Sequence, residues 1–264
     1  MQSRTQIIAT IGPASGTPEI LDKLIAAGMD VARINFSHGT HETDGSYIKN
    51  IRAAAERAGK RIPIIQDLAG PRKTTDTGHA FDKSGSVITE KDISDLAFGI
   101  ECKVDYIAQS YVGNAADIEA MHTEITKRGG NQKLIAKIER QEALDNFDTI
   151  AASADAIMVA RGDLGQALPI EELPFVERDI IARTKRVGKP VIVATQMMLS
   201  MMHSDAPTRA EVTDVAYAVI LSADAVMLSE ESALGAHPVE VVTIMERIVT
   251  RAERENRENT FRPL

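Results

Sequence analysis

Three polar side chains share one face of a predicted strand near the start of the chain. In the segment 31–37 (VARINFS), the two-residue period of a strand places Arg33, Asn35 and Ser37 on one side and apolar residues on the other. A guanidinium that points into a protein interior requires an anion. This strand alone leaves two interpretations of Arg33: it binds an anionic substrate, or it pairs with the carboxylate of a neighbouring strand.

A second polar cluster lies at the ends of two later predicted strands. Lys137 and Glu139 alternate with apolar residues, and Asp163 follows the next strand in the segment 160–165 (ARGDLG). Carboxylates from adjacent strands, together with waters and substrate oxygens, are typical ligands of Mg²⁺ or Mn²⁺. The spacing favours a divalent-metal site over the alternative, a structural ion pair of Lys137 with the two acids.

Several other predicted strands also end in polar residues. These residues are Asp67, Ser110, Thr195, and Ser229 with Glu231. The turn at Gly162 and Asp163 also suits the start of a short helix, whose unbonded N–H groups can receive a carboxylate. One polar strand end is usually a solvated cap, but many of them on one rim indicate a binding site.

Regular secondary structure must bring these residues together. Short β-branched runs alternate with longer helical patterns along the chain. The predicted strands cover residues 6–12, 30–36, 62–67, 106–112, 133–139, 156–161, 191–196 and 225–229. The predicted helices cover residues 18–27, 42–58, 91–101, 115–128, 141–151, 171–187, 209–221 and 238–255. Eight such units predict one α/β domain over residues 1–264, a (β/α)8 TIM barrel whose active site lies at the carboxyl ends of the strands.

One stretch departs from this even spacing. Residues 70–88 are rich in Gly, Thr and Ser and show no period, so we expect an irregular loop there. Loops of this length are usually functional or act as linkers. A doubly wound sheet is the alternative to the barrel, but it does not require eight evenly spaced units.

Composition excludes several classes of function. With 30 basic and 38 acidic residues among 264, the net charge of −8 argues against binding nucleic acid or an anionic membrane through bulk charge. No apolar stretch is long enough to span a membrane, and Cys102, the only cysteine, cannot form an internal disulfide. We therefore expect a cytoplasmic protein without a signal peptide. Zinc-type His/Cys spacing, a Walker loop and a Gly-x-Ser-x-Gly elbow are all absent from the sequence.

In combination, these motifs resemble those of the pyruvate kinase family. The matching stretches run in family order over nearly the whole chain: residues 9–15 (ATIGPAS), 31–39 (VARINFSHG), 89–92 (TEKD), 135–139 (IAKIE), 158–165 (MVARGDLG), 194–197 (ATQM) and 207–211 (PTRAE). The resemblance is specific, because three of the motifs recur at the expected strand ends. It implies a barrel enzyme that converts phosphoenolpyruvate and ADP to pyruvate and ATP.

The resemblance also implies roles for the residues of the divalent-metal and phosphoryl site. Glu139 and Asp163 would bind Mg²⁺ or Mn²⁺. Lys137 would stabilise the phosphoryl group during transfer, and Arg33 would contact the substrate phosphate. The backbone at Gly162 and Asp163 would hold the substrate carboxylate.

Further roles follow from the same resemblance. Thr195 would bind the substrate carboxylate and lie near the path of the proton to the methylene carbon. A monovalent cation, K⁺ in this family, would be held by Asn35, Ser37, Asp67 and the backbone of Leu68.

The nucleotide is the remaining ligand that the resemblance implies. His38 and Asn35 would lie near the phosphates of ADP or ATP.

Three departures from the family pattern stand out. Members normally carry a small β-barrel lid after the third strand, where this chain has only the segment 70–88. They also carry a C-terminal α/β domain, whereas this chain stops soon after its last predicted helix. Thr74 stands where the family motif Gly-Pro-x-x-Arg has its arginine.

Two other functions remain open at this stage. The same metal ligands would suit a lyase or aldolase that acts through a metal-bound pyruvate enolate and needs no nucleotide lid. A non-catalytic barrel that binds phosphoenolpyruvate or pyruvate is the third possibility. We also expect a possible homo-oligomer through barrel helices, with a Met-rich helix after the seventh strand (Met197, Met198, Met201 and Met202) as the candidate surface.

Overall fold

Ten strands lie in the part of the chain that the computed structural model describes, residues 3–75, 78–82 and 85–258. They are β1 Gln6–Thr10, β2 Val31–Asn35, β3 Ile64–Asp67, β4 Arg72–Thr75, β5 Gly78–Phe81, β6 Tyr106–Gln109, β7 Lys133–Ile138, β8 Ala156–Ala160, β9 Val191–Ala194 and β10 Ala225–Leu228. Eight of them are hydrogen-bonded neighbours in the order β1-β10-β9-β8-β7-β6-β3-β2, which closes into a barrel. The predicted (β/α)8 TIM barrel is therefore confirmed.

Helices follow the barrel strands. The described helices are α1 Pro18–Ala27, α2 His41–Ala58, α3 Glu90–Glu101, α4 Ala115–Lys127, α5 Gln141–Asp145, α6 Phe147–Ser153, α7 Arg161–Ala167, α8 Leu173–Arg186, α9 Arg209–Ile220, α10 Glu230–Ala233 and α11 Pro238–Glu258. None of the described helices is both long and apolar enough to cross a membrane.

The main differences from the predicted bounds arise where the backbone changes conformation. The strands β6 and β9 end before the predicted positions, because Tyr111, Thr195 and Gln196 adopt left-handed φ angles of 56°, 71° and 55°. Such angles cannot continue a strand. The predicted helix 141–151 is divided into α5 and α6 at Asn146, whose side-chain amide donates to the Gly113 carbonyl oxygen at 3.0 Å.

The expectation of an irregular loop over residues 70–88 is wrong in part. Strands β4 and β5 form an antiparallel hairpin there, in which Arg72 pairs with Phe81 and Thr75 with Gly78. Residues 76–77 and 83–84 of the predicted loop lie outside the described residues. The sequences of these strands, RKTT and GHAF, lack the apolar β-branched run that indicates the barrel strands, so the sequence pattern did not reveal them.

The Met-rich segment after β9 is a 3₁₀ turn, Leu199–Met202, rather than the predicted helix. Met197, Met198 and Met201 are fully buried. They pack inside the protein and are not available as an oligomer surface, which corrects the expectation for this segment.

Two compact units can be distinguished within the chain. The first comprises residues 3–32, 49–62 and 192–258, and its buried residues include Ile7, Leu24 and Val226. The second comprises the described residues of Arg33–Ile48 and Pro63–Val191. Every predicted site residue except Thr195 belongs to the second unit.

The start of α3 fixes the end of β3 and the hairpin that follows it. Thr89 caps the helix by accepting a hydrogen bond from the Asp92 N–H, and the Asp92 carboxylate accepts from the Thr89 N–H at 2.9 Å. The same carboxylate accepts from the Gly70 N–H at 3.0 Å. Asp92 is 1% exposed, so these donors are satisfied without water.

Asp92→Ala should lower the free energy of unfolding by about 1–3 kcal/mol, because it leaves several donors without their acceptor. Glu90→Ala in the same helical turn is the control, since Glu90 is exposed. Urea unfolding followed by circular dichroism measures both. Equal midpoints for the two variants would contradict this role of Asp92.

Candidate active site

Asp67 lies at the carboxyl end of β3, is 1% exposed and is shared by two cationic side chains. Arg33 Nε donates to Asp67 Oδ2 at 2.7 Å, and Lys137 Nζ donates to Asp67 Oδ1 at 3.0 Å. The pairing of Arg33 with a neighbouring carboxylate, one of the two interpretations of its strand, is therefore present. Asp67 orients the guanidinium through Nε.

The ammonium nitrogen of Lys137 lies close to three side-chain oxygen atoms. Nζ lies 3.0 Å from Asp67 Oδ1, 2.7 Å from Ser110 Oγ and 3.0 Å from Glu139 Oε1. Ser110 in turn donates to the Leu68 carbonyl oxygen at 2.8 Å. The contacts with Asp67 and Ser110 are hydrogen bonds, whereas the contact with Glu139 is an ion pair in which Oε1 accepts no hydrogen bond from the residues described.

Burial and neighbouring charges have opposite effects on the pKa values of Asp67 and Lys137. Burial alone raises the pKa of Asp67, but the charges of Arg33 and Lys137, with their hydrogen bonds, hold that pKa below its usual range. Burial alone lowers the pKa of Lys137, whereas Asp67 and Glu139 raise it above its usual value. Both groups are therefore ionised at neutral pH.

Glu139 and Asp163 lie on either side of Tyr111. The Tyr111 N–H donates to Glu139 Oε2 at 2.6 Å, and its hydroxyl lies 3.5 Å from Asp163 Oδ1. Burial, to which the charge of Asp163 adds, raises the pKa of Glu139 above its usual value, although Lys137 opposes this. Tyr111 was not among the sequence-predicted site residues; the only signal was its position directly after Ser110 at a strand end.

These residues fit a divalent cation. Within the described ranges, no three His, Cys, Asp or Glu side chains group closely enough to hold a metal by themselves. Glu139 and Asp163 nevertheless form a pair of carboxylates close enough to repel each other. Carboxylate oxygens are hard ligands of the kind that suit Mg²⁺ or Mn²⁺.

The predicted monovalent-cation residues surround the end of β2. Asn35 Oδ1 accepts from the Ser37 N–H at 3.1 Å. The Ser37 hydroxyl oxygen is buried and has no hydrogen-bond partner among the residues described. Leu68 contributes a carbonyl oxygen that already accepts from Ser110. The unpartnered, buried hydroxyl oxygen of Ser37 fits a cation ligand.

His38, the predicted nucleotide residue, is exposed, and its backbone N–H donates to the Asn35 carbonyl oxygen at 3.2 Å. Lys91 in α3 holds the loop that carries His38. Its Nζ donates to the Phe36 carbonyl oxygen at 2.7 Å and also pairs with Asp95. His41 Nε2 lies 2.8 Å from the same Asp95 carboxylate. The 89–92 motif does not by itself predict this contact of Lys91.

Helix α7 begins directly after β8, so Gly162 and Asp163 lie in its first turn. First-turn N–H groups have no acceptor within the helix. Thr195 belongs to the first unit and directly follows β9 with a φ of 71°. For a β-branched residue this is a strained conformation, and such strain is commonly found at functional sites.

The sequence model of the pyruvate kinase barrel domain matches residues 2–87 and 82–242. The chain belongs to the pyruvate kinase family. Pyruvate kinases from Sporosarcina psychrophila, Agrobacterium vitis and Thermococcus litoralis are 37%, 36% and 37% identical to it. These alignments cover 95%, 99% and 95% of this chain. The chain spans 57% of the Sporosarcina pyruvate kinase, 71% of the Agrobacterium one and 70% of the Thermococcus one.

The relatives contain residues that have no counterpart in this chain. The alignment with the Sporosarcina pyruvate kinase extends over 334 positions, whereas the chain has 264 residues. The match to the barrel domain divides into two segments within residues 82–87, directly after β5. The β4–β5 hairpin therefore lies within the first matched segment and ends directly before the division.

Asp67→Asn should lower the free energy of unfolding at pH 7 by about 3–5 kcal/mol, because it leaves two buried cations without their shared anion. The folded-state pKa of Asp67 is depressed, so its stabilisation is present above the unfolded pKa of about 4 and is lost as the pH falls through the folded value. Denaturant unfolding of both proteins at pH 7 and in acid measures this difference.

The control for Asp67→Asn is Asp22→Asn, which removes the acid of the exposed pair with Arg57. This control should change stability far less, because solvent screens the pair. A difference between wild type and Asp67→Asn that stays the same from pH 7 into acid would contradict an ionised, paired Asp67.

Proposed function

We propose that this chain catalyses the reaction of phosphoenolpyruvate and ADP to give pyruvate and ATP, with Mg²⁺ or Mn²⁺ and K⁺ as cofactors. The observation that carries the proposal is the convergence of Arg33, Lys137, Glu139 and Asp67 in one buried cluster of a pyruvate kinase barrel. The activities of the named relatives support the same reaction.

Phosphoryl transfer depends chiefly on positioning and on neutralising the phosphoryl oxygens. In the proposed mechanism, Arg33 binds the substrate phosphate with a guanidinium that Asp67 orients. Lys137 stabilises the phosphoryl group during transfer, while the bond from phosphorus to the enolate oxygen breaks and the bond from phosphorus to an ADP phosphate oxygen forms. Lys137 donates hydrogen bonds to Asp67 and Ser110 and forms an ion pair with Glu139, which hold its ammonium group in place.

Glu139 and Asp163 would hold the divalent cation, which supplies positive charge to phosphoryl and enolate oxygens when it is bound. Asn35, Ser37, Asp67 and the Leu68 carbonyl would hold K⁺.

The remaining contacts concern the substrate carboxylate, the nucleotide and the proton. The N–H groups of Gly162 and Asp163, with the Thr195 hydroxyl, would bind the carboxylate. His38 and Asn35 would lie near the nucleotide phosphates. After transfer, the methylene carbon of enolpyruvate takes up a proton and becomes the methyl group of pyruvate, and Thr195 lies on the proposed path of that proton.

Lys137→Met should lower kcat by about 10²–10³-fold, because it removes a charged donor from the transition state. ATP formation from phosphoenolpyruvate and ADP, with Mg²⁺ and K⁺ present, measures the effect. Lys133→Met is the matched control, because Lys133 is exposed at the start of the same strand. The proposal fails if wild type forms no more ATP than a Glu139→Ala variant.

The interruption of the family match after β5 favours a second candidate, a lyase or aldolase that forms a pyruvate enolate without ADP. Such an enzyme should release tritium from methyl-labelled pyruvate in Mg²⁺ or Mn²⁺ without nucleotide. Scintillation counting of the solvent measures the release. Tritium release without ADP, combined with no ATP formation, would support this candidate, and absence of release with every divalent metal would reject it.

A further inference from the structure

Tyr111 connects the two carboxylates of the proposed divalent-cation site. It is 2% exposed, its N–H donates to Glu139 Oε2 at 2.6 Å, and its hydroxyl lies 3.5 Å from Asp163 Oδ1. Its φ of 56° is left-handed, a conformation that a non-glycine residue keeps only when the surrounding structure holds it there. The question is therefore which contacts hold Tyr111.

The hairpin β4–β5 supplies one side of this support. The Phe81 ring lies 5.1 Å from the Tyr111 ring, centroid to centroid, at an interplanar angle of 31°. The Arg72 guanidinium lies 5.8 Å from the centre of the Tyr111 ring. Aromatic pairs and cation–ring contacts both stabilise a side chain in one orientation.

Arg140 also contacts the Phe81 ring. Its guanidinium lies 4.3 Å from the centre of the Phe81 ring. Arg140 is itself held by Glu142 at 2.5 Å and by Asp117 at 3.9 Å. Side chains of the hairpin and side chains of the barrel unit that carries the site thus alternate along one series of contacts, from Arg140 through Phe81 and Tyr111 to Arg72.

The base of the hairpin also packs directly on Tyr111. Gly70 has a φ of 65°, and a Cβ at this position would lie 2.8 Å from Ser110 Cβ and 2.9 Å from Tyr111 Cδ2. Only glycine permits this approach. The Asp82 N–H donates to the Pro71 carbonyl oxygen at 2.9 Å, which closes the hairpin at its base.

We propose that Tyr111 is a positioning residue for the Glu139 and Asp163 carboxylates, and that the hairpin holds Tyr111 in place through Phe81. The inference rests on the proposed function only in taking these two carboxylates as the cation ligands. The affinity of the site for a divalent cation then depends on a hairpin that supplies no ligand. Such supporting contacts typically change metal affinity when they are removed.

The first experiment measures Mn²⁺ binding to the full chain without substrate, by electron paramagnetic resonance of free Mn²⁺. Tyr111→Phe keeps the ring and removes the hydroxyl, and should weaken binding by about 10-fold. Tyr106→Phe is the matched control, since Tyr106 begins the same strand β6 at its opposite end. This control should bind Mn²⁺ like wild type.

The second experiment tests the hairpin. Phe81→Leu should weaken Mn²⁺ binding by about 2- to 10-fold, because the loss of an aromatic pair is worth that factor. Phe81→Tyr keeps the ring and should restore the affinity. Phe175→Leu is the control: Phe175 also has an arginine over its ring, Arg178 at 5.6 Å, but it is exposed and lies in α8.

The outcomes separate this inference from the proposed function. If Tyr111→Phe binds Mn²⁺ like wild type, the positioning role of Tyr111 is overturned. If Phe81→Leu binds Mn²⁺ like wild type while Tyr111→Phe does not, the role of the hairpin is overturned. In the ATP-formation assay, a positioning role raises the Mg²⁺ concentration at half-maximal rate and changes the rate at saturating Mg²⁺ little. A wild-type chain that binds Mn²⁺ but forms no ATP contradicts the proposed reaction and leaves the Mn²⁺ test of Tyr111 intact.

Discussion

The shared carboxylate of Asp67 is the interaction on which the rest of the site depends. Arg33 and Lys137 come from different strands, and both are almost completely buried. Two buried cations repel each other and lose their hydration, so placing both there without a counter-ion would be strongly unfavourable. One carboxylate oxygen of Asp67 accepts from Arg33 and the other accepts from Lys137. The two cationic groups are therefore fixed relative to each other before any substrate binds.

The rest of the site is assembled around this pair by backbone donors. Glu139 receives the N–H of Tyr111, and Asp92 receives the N–H of Gly70. Backbone groups are held by the fold itself, so they orient a carboxylate without the entropy cost of ordering another long side chain. Precise orientation of this kind is what phosphoryl transfer requires from a protein.

Much of the fold could be predicted from the sequence, because the barrel repeats one simple pattern. The barrel strands are short apolar runs rich in β-branched residues, and several helices have a longer period with recognisable caps, as at Thr89 and Thr208. The β4–β5 hairpin escaped prediction, because neither of its strands has the apolar β-branched run of the barrel strands. The contact of Tyr111 with Glu139 escaped as well, since it is made by the backbone N–H of a residue with a left-handed φ, and neither feature is visible in a residue type.

The sequence by itself determined which chemical groups stand at the strand ends and in what order, and its motifs were sufficient to indicate the family. Only the tertiary structure decided which groups are partners. Arg33 and Asp67 are 34 residues apart, and Lys137 and Asp67 are 70 apart, so no local period relates them. Their contact depends on how the strands pair and how deeply each side chain is buried, because burial strengthens a charge–charge contact and makes an unpaired charge unfavourable.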